Sequence, residues 1–91
     1  MIQHKDLYRN FIIECGVGSN DIVSSSPDSY ISYLQSVSNL IGSDINPITL
    51  RSEADISNIA RNLEGMRKQK TIRNYCSAMR KYIAFVEVNG L

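Results

Sequence analysis

Seven cations crowd into one stretch of this chain: Arg61, Arg67, Lys68, Lys70, Arg73, Arg80 and Lys81. Between residues 61 and 81 only Glu64 opposes them, a local excess of +6. The whole chain has a formal net charge of only +1, because residues 1–60 set seven acids against Lys5, Arg9 and Arg51, and Glu87 follows later. Such a surface attracts polyanions, since cations that neutralise phosphates release condensed counterions. A solvated basic face on an ordinary helix pair is the plainer account, and charge alone does not choose between the two. Asn74 and Ser77 stand among the cations, with side chains able to hydrogen-bond a phosphate backbone or a base edge. The chemistry open to this set is binding, not bond cleavage.

No catalytic set accompanies it. Pro27-Asp28 could open a metal-dependent nuclease signature, yet no Asp or Glu stands two residues before a Lys anywhere in the chain. Sterics and the helix dipole explain a proline and an acid in a first helical turn. A nucleophilic tyrosine needs cationic and histidine partners; the single histidine is His4, and Tyr75 and Tyr82 fall on an apolar stripe. His4, Cys15 and Cys76 are too few for a zinc site, and a lone histidine near a terminus is expected to be exposed and idle. Gly16-Val17-Gly18 lacks the remaining glycines and the lysine of a phosphate-binding loop. No catalytic residue, metal or cofactor is expected.

The elements that must carry the cations are helices. From Lys70 to Glu87, apolar residues recur at Ile72, Tyr75, Met79, Tyr82, Ile83 and Val86, the three-then-four spacing of an amphipathic helix. At about 100° per residue, Arg73, Ser77, Arg80 and Lys81 gather on the other side, and Thr71 is the expected N-cap. Three further helices precede this one. Leu7, Tyr8, Phe11, Ile12 and Cys15 form the stripe of the first, ended by Gly16 and Gly18. Ser19–Ser26 reads as a polar loop, with Ser26 or a neighbour capping the second helix and Pro27 in its first turn. Tyr30, Tyr33, Leu34, Val37, Leu40 and Ile41 are its buried stripe, and Gly42 ends it.

Asn46-Pro47 signals a turn. Ser52-Glu53-Ala54-Asp55 resembles a capping box for a third helix that buries Ile56, Ile59, Ala60 and Leu63 and closes at Gly65. Met66–Lys70 is then a short basic connector. The expected helices span about 5–15, 28–41, 53–64 and 71–88 in a single all-α domain, and no stretch alternates like a useful strand.

Ninety-one residues, 43% of them apolar, suffice for one modest core. No run of 18 apolar residues, signal-peptide h-region or Asn-x-Ser/Thr acceptor occurs. Two reduced thiols and a cytoplasmic setting without membrane contact are the expectation.

Pieces of the chain also follow a familiar order: Ser29-Tyr30-Ile31-Ser32-Tyr33-Leu34, Asp44–Leu50, Glu53-Ala54-Asp55-Ile56, Leu63, Lys70-Thr71-Ile72 and Ser77–Phe85. Over residues 27–87 the chain resembles the SAM-like helical core-binding domain that precedes the catalytic domain of phage-integrase-type tyrosine recombinases. It is also similar to the helical segment before the nuclease domain of some restriction-type endonucleases. The Asn-Tyr-x-Ser-Ala-x-Arg-Lys-Tyr-x-x-Phe stretch, residues 74–85, is closer to the second group. Residues 1–26 add a helix that the shorter recombinase pattern lacks.

The resemblance implies a compact orthogonal four-helix bundle that binds double-stranded DNA as one arm of a clamp. Chemistry would belong to a catalytic domain of the same parent chain, with residues 1–91 its N-terminal part and a homodimer possible. Mapped by position, it implicates Lys70, Thr71, Arg73, Asn74, Ser77, Arg80 and Lys81; the charge pattern adds Arg67 and Lys68. A helical protein-interaction or oligomerisation domain is the alternative. Its candidate anchors are Tyr8, Tyr30, Tyr33, Met66 and Met79, residue types enriched at interfaces.

Overall fold

A computed structural model describes residues 2–15 and 27–91. Four helices are present: α1 Lys5–Cys15, α2 Pro27–Ile41, α3 Glu53–Leu63 and α4 Gln69–Asn89. Among the described residues there is no strand, only isolated bridges pairing Ile2 with Ile45 and Glu64 with Arg67. The glycine endings of α1 and the Ser19–Ser26 loop, with its capping serine, fall outside the described residues.

The 21-residue α4 is the central element. It packs against all three other helices, most extensively against α2, while α1 and α3 flank it without touching one another. The reason lies in its stripe. Ile72, Tyr75, Ala78, Met79, Tyr82 and Phe85 are all buried, a band wide enough to serve three neighbours. Tyr30, Leu34 and Val37 of α2, Ile56, Ile59 and Leu63 of α3, and Tyr8 and Ile12 of α1 meet it in one continuous core. At about 25 cal/mol per Å², each such aliphatic side chain contributes about 1.5–3 kcal/mol.

Aromatic rings fasten α1 to the C-terminal half of α4. Tyr8 lies 5.4 Å from Tyr82 and 5.9 Å from Phe85, and Phe11 lies 5.8 Å from Phe85, centroid to centroid. These spacings fall within the range of favourable tilted and edge-on ring pairs. The buried Tyr8 hydroxyl donates to the Ala78 carbonyl at 3.0 Å, and that of Tyr82 donates to the Gln3 carbonyl at 2.8 Å. The Gln3 N–H in turn donates to Ile45 O at 2.7 Å. The N-terminal segment is thereby tied both to the α2–α3 connection and to α4.

Several local expectations need correction. Leu7 is 52% exposed: at about 100° per residue it sits a quarter-turn from Tyr8, off the side of α1 that faces the core. Tyr33, Leu40, Ile41, Ala60, Ile83 and Val86 are only half-buried against the core. Phe85 is fully buried and belongs to the stripe from which spacing omitted it. His4, expected to be exposed, is half-buried with φ of 59°, in the left-handed region that histidine enters more readily than most residues.

Caps differ too. The Ser52 side chain makes no cap hydrogen bond; instead Asp55 Oδ2 accepts from the Arg51 N–H at 2.8 Å, one residue upstream of the expected box. Thr71 is not the N-cap of α4. Ile72 N–H already donates to Lys68 O at 3.0 Å, so Lys68 is the cap, in extended conformation and without a side-chain bond.

Candidate nucleic-acid interface

The cations reach α4 through a tight connector. Leu63 O accepts from both Met66 N–H (3.0 Å) and Arg67 N–H (3.2 Å), which folds the chain back immediately after α3. Gly65 makes this possible with φ of +87°, where a residue bearing a Cβ is strained. Arg67 and Lys68 are then delivered, exposed, to the start of α4, where Gly65, Met66, Arg67, Lys68 and Thr71 line a shallow open concavity. With Lys68 as cap, the N–H groups of Gln69, Lys70 and Thr71 precede the first intrahelical bond and have no capping side chain. The positive end of the helix dipole reinforces the adjacent cations.

Along α4 itself, Lys70, Arg73, Asn74 and Arg80 are exposed, while Thr71, Ser77 and Lys81 are half-buried. Lys70 to Lys81 spans about 16 Å at 1.5 Å per residue. Of the expected α4 residues the structure thus exposes Lys70, Arg73, Asn74 and Arg80, and Thr71, Ser77 and Lys81 only in part, with Arg67 and Lys68 exposed at the start of the helix. Arg61 is exposed in the last turn of α3. Among the described residues, Lys70, Arg73 and Lys81 have no ion pair.

Arg80 differs. Its Nε donates to Glu53 Oε1 at 3.0 Å, linking α4 to the first turn of α3. The half-buried Cys76 lies in the same neighbourhood. Burial pushes its thiol up from the ordinary value, with Arg80 opposing and Glu53 adding to the shift. Sequence reasoning did not single out Glu53 as part of this face; the signal available was an acid in the first turn of a neighbouring helix, which the helix dipole already accounts for. Arg67 Nη1 donates to the Met66 carbonyl at 2.8 Å, which leans that guanidinium back over the connector.

No group of three or more His, Cys, Asp or Glu side chains able to hold a metal ion occurs among the described residues. Among those residues, no helix is long and apolar enough to cross a membrane. Compared with protein-family models, curated proteins and solved structures, the chain matches none.

A second surface feature lies at the other end of the molecule. Leu7, Asn10, Phe11 and Glu14 of α1 line a groove with Val88 and Asn89 of α4, where Leu7 and Val88 are 52% and 72% exposed. Of the tyrosines and methionines that could anchor a protein partner, Tyr8, Tyr30 and Met79 are buried, Tyr33 is half-buried, and only Met66 is exposed.

Proposed function

We propose that this chain is a double-stranded DNA-binding module that acts beside a catalytic domain of a longer parent protein. The observation that carries the reading is the division of labour on α4: one side completes the core while Lys70, Arg73 and Asn74 stand exposed on the other, with Arg67 and Lys68 at its start. Among the described residues none of these cations has an ion pair, and only Arg67 hydrogen-bonds, to the Met66 carbonyl. A face of unpaired cations spaced along about 16 Å of helix suits successive phosphates. Asn74 supplies the amide that can pair with an adenine edge, and the uncapped first turn of α4 adds backbone donors for a phosphate oxygen.

The resemblance to SAM-like core-binding domains carries the finer part of the proposal. The bundle is of the orthogonal integrase type, and the parent is a restriction-type endonuclease or a tyrosine recombinase working in the cytoplasm. This chain is then the recognition piece, without a catalytic set of its own.

Fluorescence anisotropy of the 91-residue chain on a random duplex across a salt series tests the core claim. Contact with about four phosphates gives a log–log slope near −3.6, about 0.9 per phosphate. Arg73→Ala should weaken binding and flatten the slope by about 0.9 while changing stability by less than about 0.5 kcal/mol, as exposed substitutions do. No binding at low salt, or equal binding by variant and parent, overturns the assignment.

The second reading is a protein-interaction or homodimerising domain without nucleic-acid contact. The partly apolar Leu7–Phe11–Val88 groove favours it. Affinity through that groove would be nearly indifferent to salt.

A further inference from the structure

Among the cations of α4, Arg80 alone has a carboxylate partner among the described residues: Glu53, through a single bond from Nε. Both side chains are well exposed, 56% for Arg80 and 67% for Glu53, and an exposed ion pair of this kind adds little to stability. Nor does it suit a phosphate clamp, because Glu53 cancels the charge of Arg80 and would itself face the phosphates. The helix dipole explains an acid at the start of α3; it does not explain why that acid meets the one arginine two turns beyond Arg73.

What the pair does achieve is orientation. Glu53 engages the inner Nε, while the two terminal nitrogens, Nη1 and Nη2, have no hydrogen-bond partner among the described residues and remain available as a fork. A planar fork with two parallel donors matches an edge with two acceptors. In the major groove that edge is O6 and N7 of guanine. We propose that Arg80, oriented by Glu53, reads a guanine while Lys70, Arg73 and Lys81 hold phosphates. Glu53 is a positioning residue in this arrangement. The proposal rests on the DNA-binding reading above and adds to it a division between base contact and backbone contact.

The test is selection of bound duplexes from a random pool by the 91-residue chain, followed by anisotropy on the selected duplex and on one with each G·C pair exchanged. Arg80→Lys keeps the charge and removes the fork. It should abolish preference at one G·C position, about tenfold or more, with the salt slope unchanged. Glu53→Ala should lower that preference while raising affinity for random duplex. Glu53→Gln, whose side-chain oxygen still accepts from Nε, should retain the preference. A parent that binds duplexes without base preference overturns the proposal but leaves the DNA-binding module standing. An Arg80→Lys or Glu53→Ala variant with unaltered preference does the same. Absence of any duplex binding by the parent overturns both.

Discussion

Tyr82 shows how one residue can join a core to a connection. Its ring packs against Tyr8 and Phe85, and its hydroxyl donates to Gln3 O. Removing the ring in Tyr82→Ala should cost about 3 kcal/mol or more, as large aromatic deletions do, readable as a shift of the urea midpoint. Burial also pushes the Tyr82 phenol up to about 12, and it raises that of Tyr8 as well. A folded pKa above the unfolded value near 10 means that the native state keeps its proton longer. The stability tied to Tyr82 is therefore complete below about pH 10 and is lost as pH rises toward 12. Urea titrations at pH 9 and 11 should show this alkaline fall, and Tyr82→Phe should make it shallower. An identical fall in the variant would assign the loss to other groups.

At the scale of elements, the connections do more than join helices. Asn46 Oδ1 accepts from both Ile48 N–H and Thr49 N–H at 2.8 Å, and Asn46 O accepts from Leu50 N–H at 3.0 Å. Together these bonds wind residues 46–50 into one capped turn with Pro47 just inside it. The turn drives Leu50 into the core, while the preceding residue Ile45 is buried on the other side of the bend. Asn46→Ala should cost about 1 kcal/mol, the usual loss for a capping side chain, with the helix content seen by circular dichroism unchanged before unfolding. A loss below about 0.3 kcal/mol would show that Pro47 alone sets the turn. Asn-Pro was legible as a turn from type alone; that it would bury its flanks was not, because Ile45 and Leu50 belong to no periodic stripe.

For the whole molecule, the Cα radius of gyration of 12.0 Å equals the roughly 12 Å that chain-length scaling gives for a folded domain of this size. One continuous core includes residues of all four helices and of both described ends of the N-terminal tie. Thermal unfolding should consequently be a single transition, coincident when followed by far-ultraviolet circular dichroism and by tyrosine fluorescence. Separate midpoints would mean that α1, which contacts only α2 and α4, opens on its own. The charge asymmetry also makes sense only at this scale. Residues 61–81 are strongly basic in sequence, yet the tertiary structure divides them: Lys70, Arg73 and Lys81 are left without ion pairs among the described residues, and Arg80 is given to Glu53.

The four helices, and the division of α4 into an apolar and a basic side apart from Phe85, are legible in the local pattern of residues. Helical periodicity is a local property, written every three or four residues and punctuated by glycine, proline and short polar side chains. Its boundaries held to within one or two residues, and its cations were visible by type. Which residues lie across from one another emerges from the packed fold. Leu7 is excluded from the core because α1 turns Tyr8 and Ile12 inward; Phe85 is included because α1 covers it; Ile2, Ile45 and Leu50 enter the core from connectors that carry no repeat. Glu53 meets Arg80 although 27 residues separate them. Such pairings depend on how helices are placed against one another, and that placement follows from packing the whole core at once rather than from any local pattern.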